Sequence, residues 1–431
     1  MKAGDVRIHP PNVEHGGETK TGFKGIDIFC PPREDHVEKL KKALREREEA
    51  WVAYGGVDMG NWGFYMPTLI RFGWGEVQHI RQFVDQFNGK RIFLVTGRRF
   101  AKKTGLLEKI TGLLHGVTAV TFAEIEENPS IETVDRGATT CRESECDLVI
   151  GIGGGSAIDA AKAIAMLQGN PGSIREYLDQ ERVCEVKGLP FIAIPTTSGT
   201  GTEVTPFAVI THKARNAKPA IAPPQMFPDI ALVDPELTMS MPPKVAASTG
   251  FDALCQAIEG FWSTQSNPVT RALAFQAIKM AMENLESACL RKDKRSVINM
   301  ALASNLTGIE MSNIGNTSIH PLSYPLTMDY DVPHGFACAI LLPPVIRFNG
   351  EAIADRFADL FRLLKISTVE AFTDRVDALL EKLEAPRRLK EFGVTAERIP
   401  GMVKRGIGRF TVWNPRPMNE ENLIQICKSI L

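Results

Sequence analysis

From about residue 65 to residue 235 the chain alternates short apolar runs with amphipathic stretches, and beyond that point the apolar runs thin out. Arg91–Thr96 reads as a buried strand closed by Gly97, followed by a helix over Phe100–Leu114. Val117–Phe122 is a second strand and Ile131–Cys141 a second helix. Asp147–Ile152 runs into glycines and a helix from about Ala157 to Met166, and Pro190–Pro195 is a further strand. Apolar strands separated by helices predict parallel βαβ units and a doubly wound sheet. After about Asp234 a helical period takes over and predicts helices at Val245–Ser263, Pro268–Ala288, Lys294–Ser312, Phe336–Phe348 and Val369–Leu383. The expectation is an α/β N-terminal nucleotide-binding domain over residues 61–235 and an all-α C-terminal domain over 236–431, with an N-terminal extension at 1–60. In that extension Val37, Leu40, Leu44 and Trp51 are spaced to give one apolar stripe on a surface helix.

A length of 431 residues suits two domains, because single cores stop growing near about 300 residues. The 50 Lys and Arg balance 51 Asp and Glu, so no global charge draws the chain to nucleic acid or to an anionic membrane surface. No window approaches the roughly 18 uninterrupted apolar residues of a membrane span. The 8 cysteines are scattered without CxxC spacing, and the start of the chain has no apolar secretory run, so a reducing, cytoplasmic setting is expected.

Three places at strand ends carry polar chemistry. Gly153, Gly154, Gly155, Ser156 and Asp159 join a strand to a helix, where backbone N–H groups and the helix dipole suit a diphosphate. Taken alone, a tight βα turn explains that stretch equally well, and it departs from the GxGxxG fingerprint at Ser156. Thr196, Thr197 and Thr200 lie in a second polar loop after another strand, and two such loops on one sheet point to a nucleotide. Gly97, Arg98 and Arg99 end the first strand, where small and basic residues accommodate a 2′-phosphate and an acidic one would repel it. NADP(H) is therefore expected over NAD(H).

In the helical half, Asp252 and Gln256 stand four apart and share a helix face. His320 and His334, two of the 8 histidines, lie in proline-flanked stretches further on. One carboxylate and two imidazoles suit Fe²⁺ or Zn²⁺ with a position open to substrate oxygen, and a capping Asp with core histidines suits the same residues.

Together these stretches resemble the iron-containing (group III) alcohol dehydrogenase family, from about Phe64 to the C-terminus. Phe72-Gly73-Trp74-Gly75 is similar to the family's FGxG, Asn128-Pro129 to its NP, Gly153–Asp159 to its GGGSxxD and Pro195–Glu203 to its PTTxGTGSE. Asp234-Pro235 is similar to its DP, Asp252–Glu259 to its DALxHAIE, His334-Gly335 to its HG and Asn414-Pro415-Arg416 to its NPR. The resemblance implies a fold akin to dehydroquinate synthase, with the active site in a cleft between the domains. It implies hydride transfer between a nicotinamide cofactor and a small alcohol or aldehyde, with a divalent metal held by one Asp and three His.

Carried over, the ligands are Asp252, His320 and His334, and the remaining ligand position holds Gln256. Tyr324 stands where the family usually has a further His that assists proton exchange, so Tyr324 and His334 are the implied catalytic pair. An amide oxygen is a weaker donor than imidazole, and Fe²⁺ is expected first, with Zn²⁺ and Mn²⁺ as alternatives. Gly97 occupies the family's cofactor-selecting position, which strengthens NADP(H), and Lys218 matches a lysine near the nucleotide. A homo-oligomer, dimer or larger, is expected. The altered ligands leave four alternatives open: a relative that exchanges hydride through a retained cofactor, one that reduces oxoacids, one that runs sugar-type chemistry as dehydroquinate synthase does, and a nucleotide-binding protein without turnover.

Overall fold

Alternate residues of the central strands go to opposite faces of one sheet, which is why these runs are apolar throughout. In this computed structural model, which describes residues 62–98, 105–407 and 409–431, the chain forms β1 (Leu69–Phe72), β2 (Arg91–Gly97), β3 (Thr118–Ile125), β4 (Leu148–Gly153), β5 (Phe191–Pro195), β6 (Ala208–Val209), β7 (Ala220–Ile221) and β8 (Ile230–Val233). Strands β6 and β7 make a small antiparallel pair, and the others form a parallel sheet in the order β1-β8-β5-β4-β2-β3. Phe93, Val95 and Val149 pack against α3 (Ile131–Glu143) and α4 (Gly155–Gly169), through Val134, Ala138, Ile158 and Ile164. Ile92, Leu94 and Ile150 pack on the other face against α1 (Ile80–Gln86) and α2 (Leu106–Leu113), through Ile80, Val84 and Ile110. Burial on both faces is the signature of a parallel sheet covered by its crossovers.

This topology sets where a ligand can sit. The chain leaves β2 toward α2 on one face and leaves β4 toward α4 on the other, so the strand order reverses between these two neighbours. A crevice opens outside the carboxyl ends at such a switch point. Register places the loops there: Thr96 pairs with Ile152, and Gly153 with Pro195.

A short α5 (Ile174–Leu178) still belongs to the sheet half, and the helical half comprises α6 (Pro243–Trp262), α7 (Pro268–Leu290), α8 (Lys294–Ile314), α9 (Ile319–Tyr330), α10 (His334–Asn349), α11 (Glu351–Leu364), α12 (Val369–Lys382), α13 (Ile399–Gly406) and α14 (Glu420–Ser429). Its core runs from Phe251 and Trp262 through Phe357 and Phe372 to Ile426. No single helix among the described residues is long and apolar enough to cross a membrane.

The observed elements extend several expected ones. Helix α4 begins at Gly155, and β3 continues to Ile125. The segment around His320 is helical despite Pro321 and Pro325. Pro321 sits in the first turn, where a missing N–H costs nothing. Strands β1 and β8 were not expected, since each has only four residues. The expected extension at 1–60, residues 99–104 and the first part of the predicted Phe100–Leu114 helix lie outside the described residues.

The two halves touch backbone to backbone at Gly201, in the threonine loop, and Gly308, on α8. Gly201 has φ +59°, and a Cβ on Gly308 would lie 2.2 Å from the Gly201 carbonyl oxygen. Gly308→Ala is accordingly expected to cost about 1–3 kcal/mol of stability by overpacking. Gly112→Ala, on α2 with open space around it, is expected to gain about 0.5–1 kcal/mol. Chemical denaturation of the two variants checks the contrast.

Candidate active site

The two polar loops at the strand ends hold one another in place. Thr196 N–H donates to the Gly153 carbonyl at 2.9 Å, so the threonine loop lies beside the glycine turn. A Cβ on Gly154 would meet Thr197 at 3.3 Å, and one on Gly155 would meet Thr200 at 2.9 Å. These glycines let Thr197 and Thr200 close over the N-terminus of α4, whose free N–H groups suit an anion. Ser156 Oγ accepts from Asn128 N–H at 3.1 Å, and Asn128 has φ 57°, which joins the Asn-Pro turn to the same place.

Asp159 and Lys162 lie beneath these loops. Asp159 Oδ1 accepts from Thr202 Oγ at 2.5 Å and Oδ2 from Val209 N–H at 2.9 Å. Lys162 Nζ, unnoticed in the sequence, donates to Thr202 Oγ at 2.6 Å, Thr205 O at 3.0 Å and Phe207 O at 2.5 Å. Burial brings its ammonium down to about 8. Both carboxylate oxygens of Asp159 accept hydrogen bonds from within the protein, which braces the loop from below.

At the end of β2, a Cβ on Gly97 would have, among the described residues, only the Ile125 carbonyl oxygen near, at 3.7 Å. Packing does not demand glycine there, and its lack of a side chain leaves room in front of the switch point. Arg98 is exposed; its Nε donates to Glu124 O at 2.8 Å and its guanidinium stands 3.7 Å from Glu126. Arg99 lies outside the described residues. Lys218, on the β6–β7 connection, is more than half buried among charges from both halves, Glu127 and Asp331; burial brings its ammonium down to about 8 against their opposing pull.

The second cluster grows from α6. Asp252 and Gln256, one turn apart, are both buried. Helix α9 brings His320, and α10 begins at His334, so three helices converge. Gly335 permits the approach of α10: a Cβ there would lie 1.7 Å from the Ser248 carbonyl oxygen on α6. Glu259, one further turn along α6, fixes His320. Its Oε1 accepts from Thr317 N–H at 3.1 Å, Thr317 Oγ at 2.7 Å and Ile319 N–H at 2.7 Å, and its Oε2 accepts from His320 Nδ1. With Nδ1–H so engaged, Nε2 carries the lone pair of the neutral ring.

That nitrogen stands 3.2 Å from Asp252 Oδ1, and His334 Nε2 stands 3.7 Å from the same oxygen. Cys338, one turn after His334, places Sγ 3.9 Å from His334 Nε2. The ligand atoms of Asp252, His320, His334 and Cys338 all lie within 4.8 Å of one another. Donors at about 2.0–2.3 Å from a tetrahedral ion stand roughly 3.3–3.8 Å apart, so the residues fit a cation of that kind. Gln256 Nε2 donates to Asp252 Oδ1 at 3.2 Å, and its Oε1 is buried with no partner among the described residues.

Electrostatics agree with a cation site. Burial opposes the charged form of Asp252, but the His334 and His320 imidazoles outweigh it and hold the carboxyl below its usual range. Burial likewise opposes a charged His320, and the neighbouring Cys338 and Glu259 outweigh it and hold the ring well above its ordinary value. The imidazoles bring the Cys338 thiol down to about 7 against burial. Tyr324 stacks on His334 with ring centres 5.9 Å apart and planes at 16°. Burial pushes its hydroxyl up to about 12, so it stays a phenol at neutral pH.

The geometry thus brings together Asp252, Gln256, His320, His334 and Tyr324 in one cluster, and Gly97, Gly153–Ser156, Thr196, Thr197 and Thr200 in another. Cys338 and the bracing role of Glu259 escaped the sequence reading; the four-residue step from His334 to Cys338 was the available signal.

Comparison with known proteins gives the same picture. The model of the iron-containing alcohol dehydrogenase family matches residues 67–235, and that of the Fe-containing alcohol dehydrogenase family C-terminal region matches 246–431. The chain is 34% identical over 372 residues to long-chain-alcohol dehydrogenase 1 of Geobacillus thermodenitrificans, covering 83% of this chain and 93% of that one. It is 35% identical over 382 residues to the NADPH-dependent butanol dehydrogenase of Clostridium saccharobutylicum, covering 85% and 97%. Among solved structures, sulfoacetaldehyde reductase from Bifidobacterium kashiwanohense in complex with NAD⁺ matches with TM-score 0.82 and 32% identity, covering 86% of this chain and 99% of that one. A parallel nucleotide-type sheet, a helical half with a convergent donor cluster and these likenesses together place the chain in the iron-containing alcohol dehydrogenase family.

Proposed function

We propose that this protein is a metal-dependent oxidoreductase that moves a hydride between NADP(H) and a small alcohol or aldehyde. The observation that carries the reading is the convergence of the Asp252, His320 and His334 donor atoms on one point. When bound there, a divalent ion supplies Lewis-acid polarisation of a carbonyl or alcohol oxygen, and the nicotinamide supplies the hydride.

The chain's own residues do the rest. Asp252, His320 and His334 hold the ion, with the Gln256 amide adjoining, and Glu259 keeps His320 Nε2 facing it. Gly153, Gly154, Gly155 and Ser156 present backbone N–H groups to the diphosphate, and Thr196, Thr197 and Thr200 wall the opposite side. The Tyr324 phenol, stacked on His334, donates a proton toward the substrate oxygen during aldehyde reduction; as a phenol it is a poor base for the reverse direction near neutral pH. Gly97 leaves space for a 2′-phosphate, which supports NADP(H). The relatives show both uses, since one is named for NADPH and another was solved with NAD⁺.

The direct test is anaerobic reconstitution with Fe²⁺, Zn²⁺ or Mn²⁺ and a panel of short and anionic aldehydes, following NADPH absorbance. Oxidation of NADPH that disappears with a chelator supports the reading, and inactivity with every metal across the panel overturns it.

Gly97→Asp is expected to leave folding intact and to lower affinity for NADPH relative to NADH by about tenfold or more, equivalent to about 1.4 kcal/mol. Titration of both cofactors by fluorescence measures this ratio. The Lys218 ammonium is present below about pH 8 and lost above it. Cofactor affinity should therefore fall as pH rises through that value. Lys218→Met should weaken binding about tenfold at pH 7 and flatten the profile. Glu259→Gln removes the carboxylate that orients His320 and is expected to lower metal affinity about 10–100-fold, read by competition with a chelating dye.

A further inference from the structure

The donor cluster contains one group that the family pattern does not require. The family resemblance leads to a third imidazole on α6, and the chain has Gln256 there instead. Gln256 turns its amide nitrogen toward Asp252 Oδ1 at 3.2 Å, and its carbonyl oxygen is buried without a partner among the described residues. Across the pocket, Cys338 is fully buried, and its Sγ stands 3.9 Å from His334 Nε2, within 4.8 Å of the Asp252 and His320 donors. Because it follows His334 by one helical turn, both side chains project from the same face of α10.

Resting on the metal-dependent reading above, we propose that Cys338 is a ligand of the divalent ion and takes the fourth donor position, making an Asp252, His320, His334, Cys338 shell. Geometry and charge favour it over Gln256. Cys338 Sγ lies 3.9 Å from His334 Nε2 and within 4.8 Å of the Asp252 and His320 donor atoms, whereas Gln256 turns its amide nitrogen, which has no lone pair to give, toward Asp252. A thiolate beside the Asp252 carboxylate brings two negative charges to a dication, whereas an amide leaves one. The donor set itself, two imidazoles, one carboxylate and one sulfur, leans toward softer ions. On binding, the Cys338 S–H bond breaks, a sulfur–metal bond forms, and the proton leaves to solvent. The site should consequently select Zn²⁺ or Fe²⁺ over Mn²⁺ and Mg²⁺, which prefer oxygen ligands.

Cys255 is the control that the structure supplies. It lies next to Gln256 on α6 and is buried near enough to Cys338 to feel its charge, yet it is not among the converging donors.

The experiment strips the full-length protein of metal and titrates it with Co²⁺, recording the near-ultraviolet sulfur-to-cobalt charge-transfer band and the bound stoichiometry. One equivalent of cobalt with that band is expected in the unaltered protein, in Gln256→Ala and in Cys255→Ala. Cys338→Ser should lose the band and bind cobalt at least about tenfold more weakly, by comparison with the 10–100-fold that losing a mere supporting partner costs. Stoichiometric cobalt without a sulfur band in the unaltered protein would overturn the Cys338 assignment and leave the metal reading standing. A band that survives in Cys338→Ser would also overturn it. Failure of the unaltered protein to bind any cobalt would sink both. Should Cys338→Ser fail to fold, the unaltered protein and the two other variants still decide, because a band abolished by Cys255→Ala places the sulfur elsewhere.

Discussion

The carboxylate of Glu259 ties the helical half together at the point where chemistry is possible. One of its oxygens receives the backbone of Thr317 and Ile319 at the start of the helix that carries His320, and the other receives that histidine's ring. A negative group at a helix N-terminus satisfies donors that the helix cannot satisfy itself. The same group sets which ring nitrogen is free. Helix position and ring tautomer are thus one constraint, and the approach of His320 Nε2 to Asp252 follows from it.

Around that constraint, glycines set the distances. Gly335 lets one helix start against the Ser248 carbonyl and delivers His334, while Gly201 and Gly308 bring the threonine loop against the helical half. Asp234 does related work at the sheet's far edge, where its carboxylate accepts from Gly75 and Val77 N–H groups and fastens the Phe72–Gly75 turn. The C-terminal Asn414 bonds Ser318 and Asn349, and Arg416 donates to Phe348 O. The Asp-Pro, FGxG and NPR stretches, which in the sequence look as functional as the glycine loop, are therefore largely clamps.

Much of the architecture was legible because periodicity is a direct record of burial. Strands such as β4, buried along its full length, and helices such as α7 and α8 announce themselves in this way. Short β1 and β8 do not, since four residues carry too little pattern, and the helix around His320 was hidden behind two prolines that its first and second turns tolerate. At the site, Asp252, His320 and His334 were legible through their motif, and their convergence required the fold. Asp159, grouped in sequence with the glycines and serine of its turn, accepts from Thr202 and Val209 beneath the loop, a bracing contact that the sequence does not show. Cys338 was overlooked because a cysteine in an apolar helix ordinarily packs as a small hydrophobe.

Of the converging donors, only His334 keeps appreciable exposure, about a third of its side chain, while Asp252 and His320 are sealed to 3%. The cluster thus turns a single edge outward, built from the His334 imidazole and the Tyr324 ring stacked on it, while Asp252 and His320 anchor it from the interior.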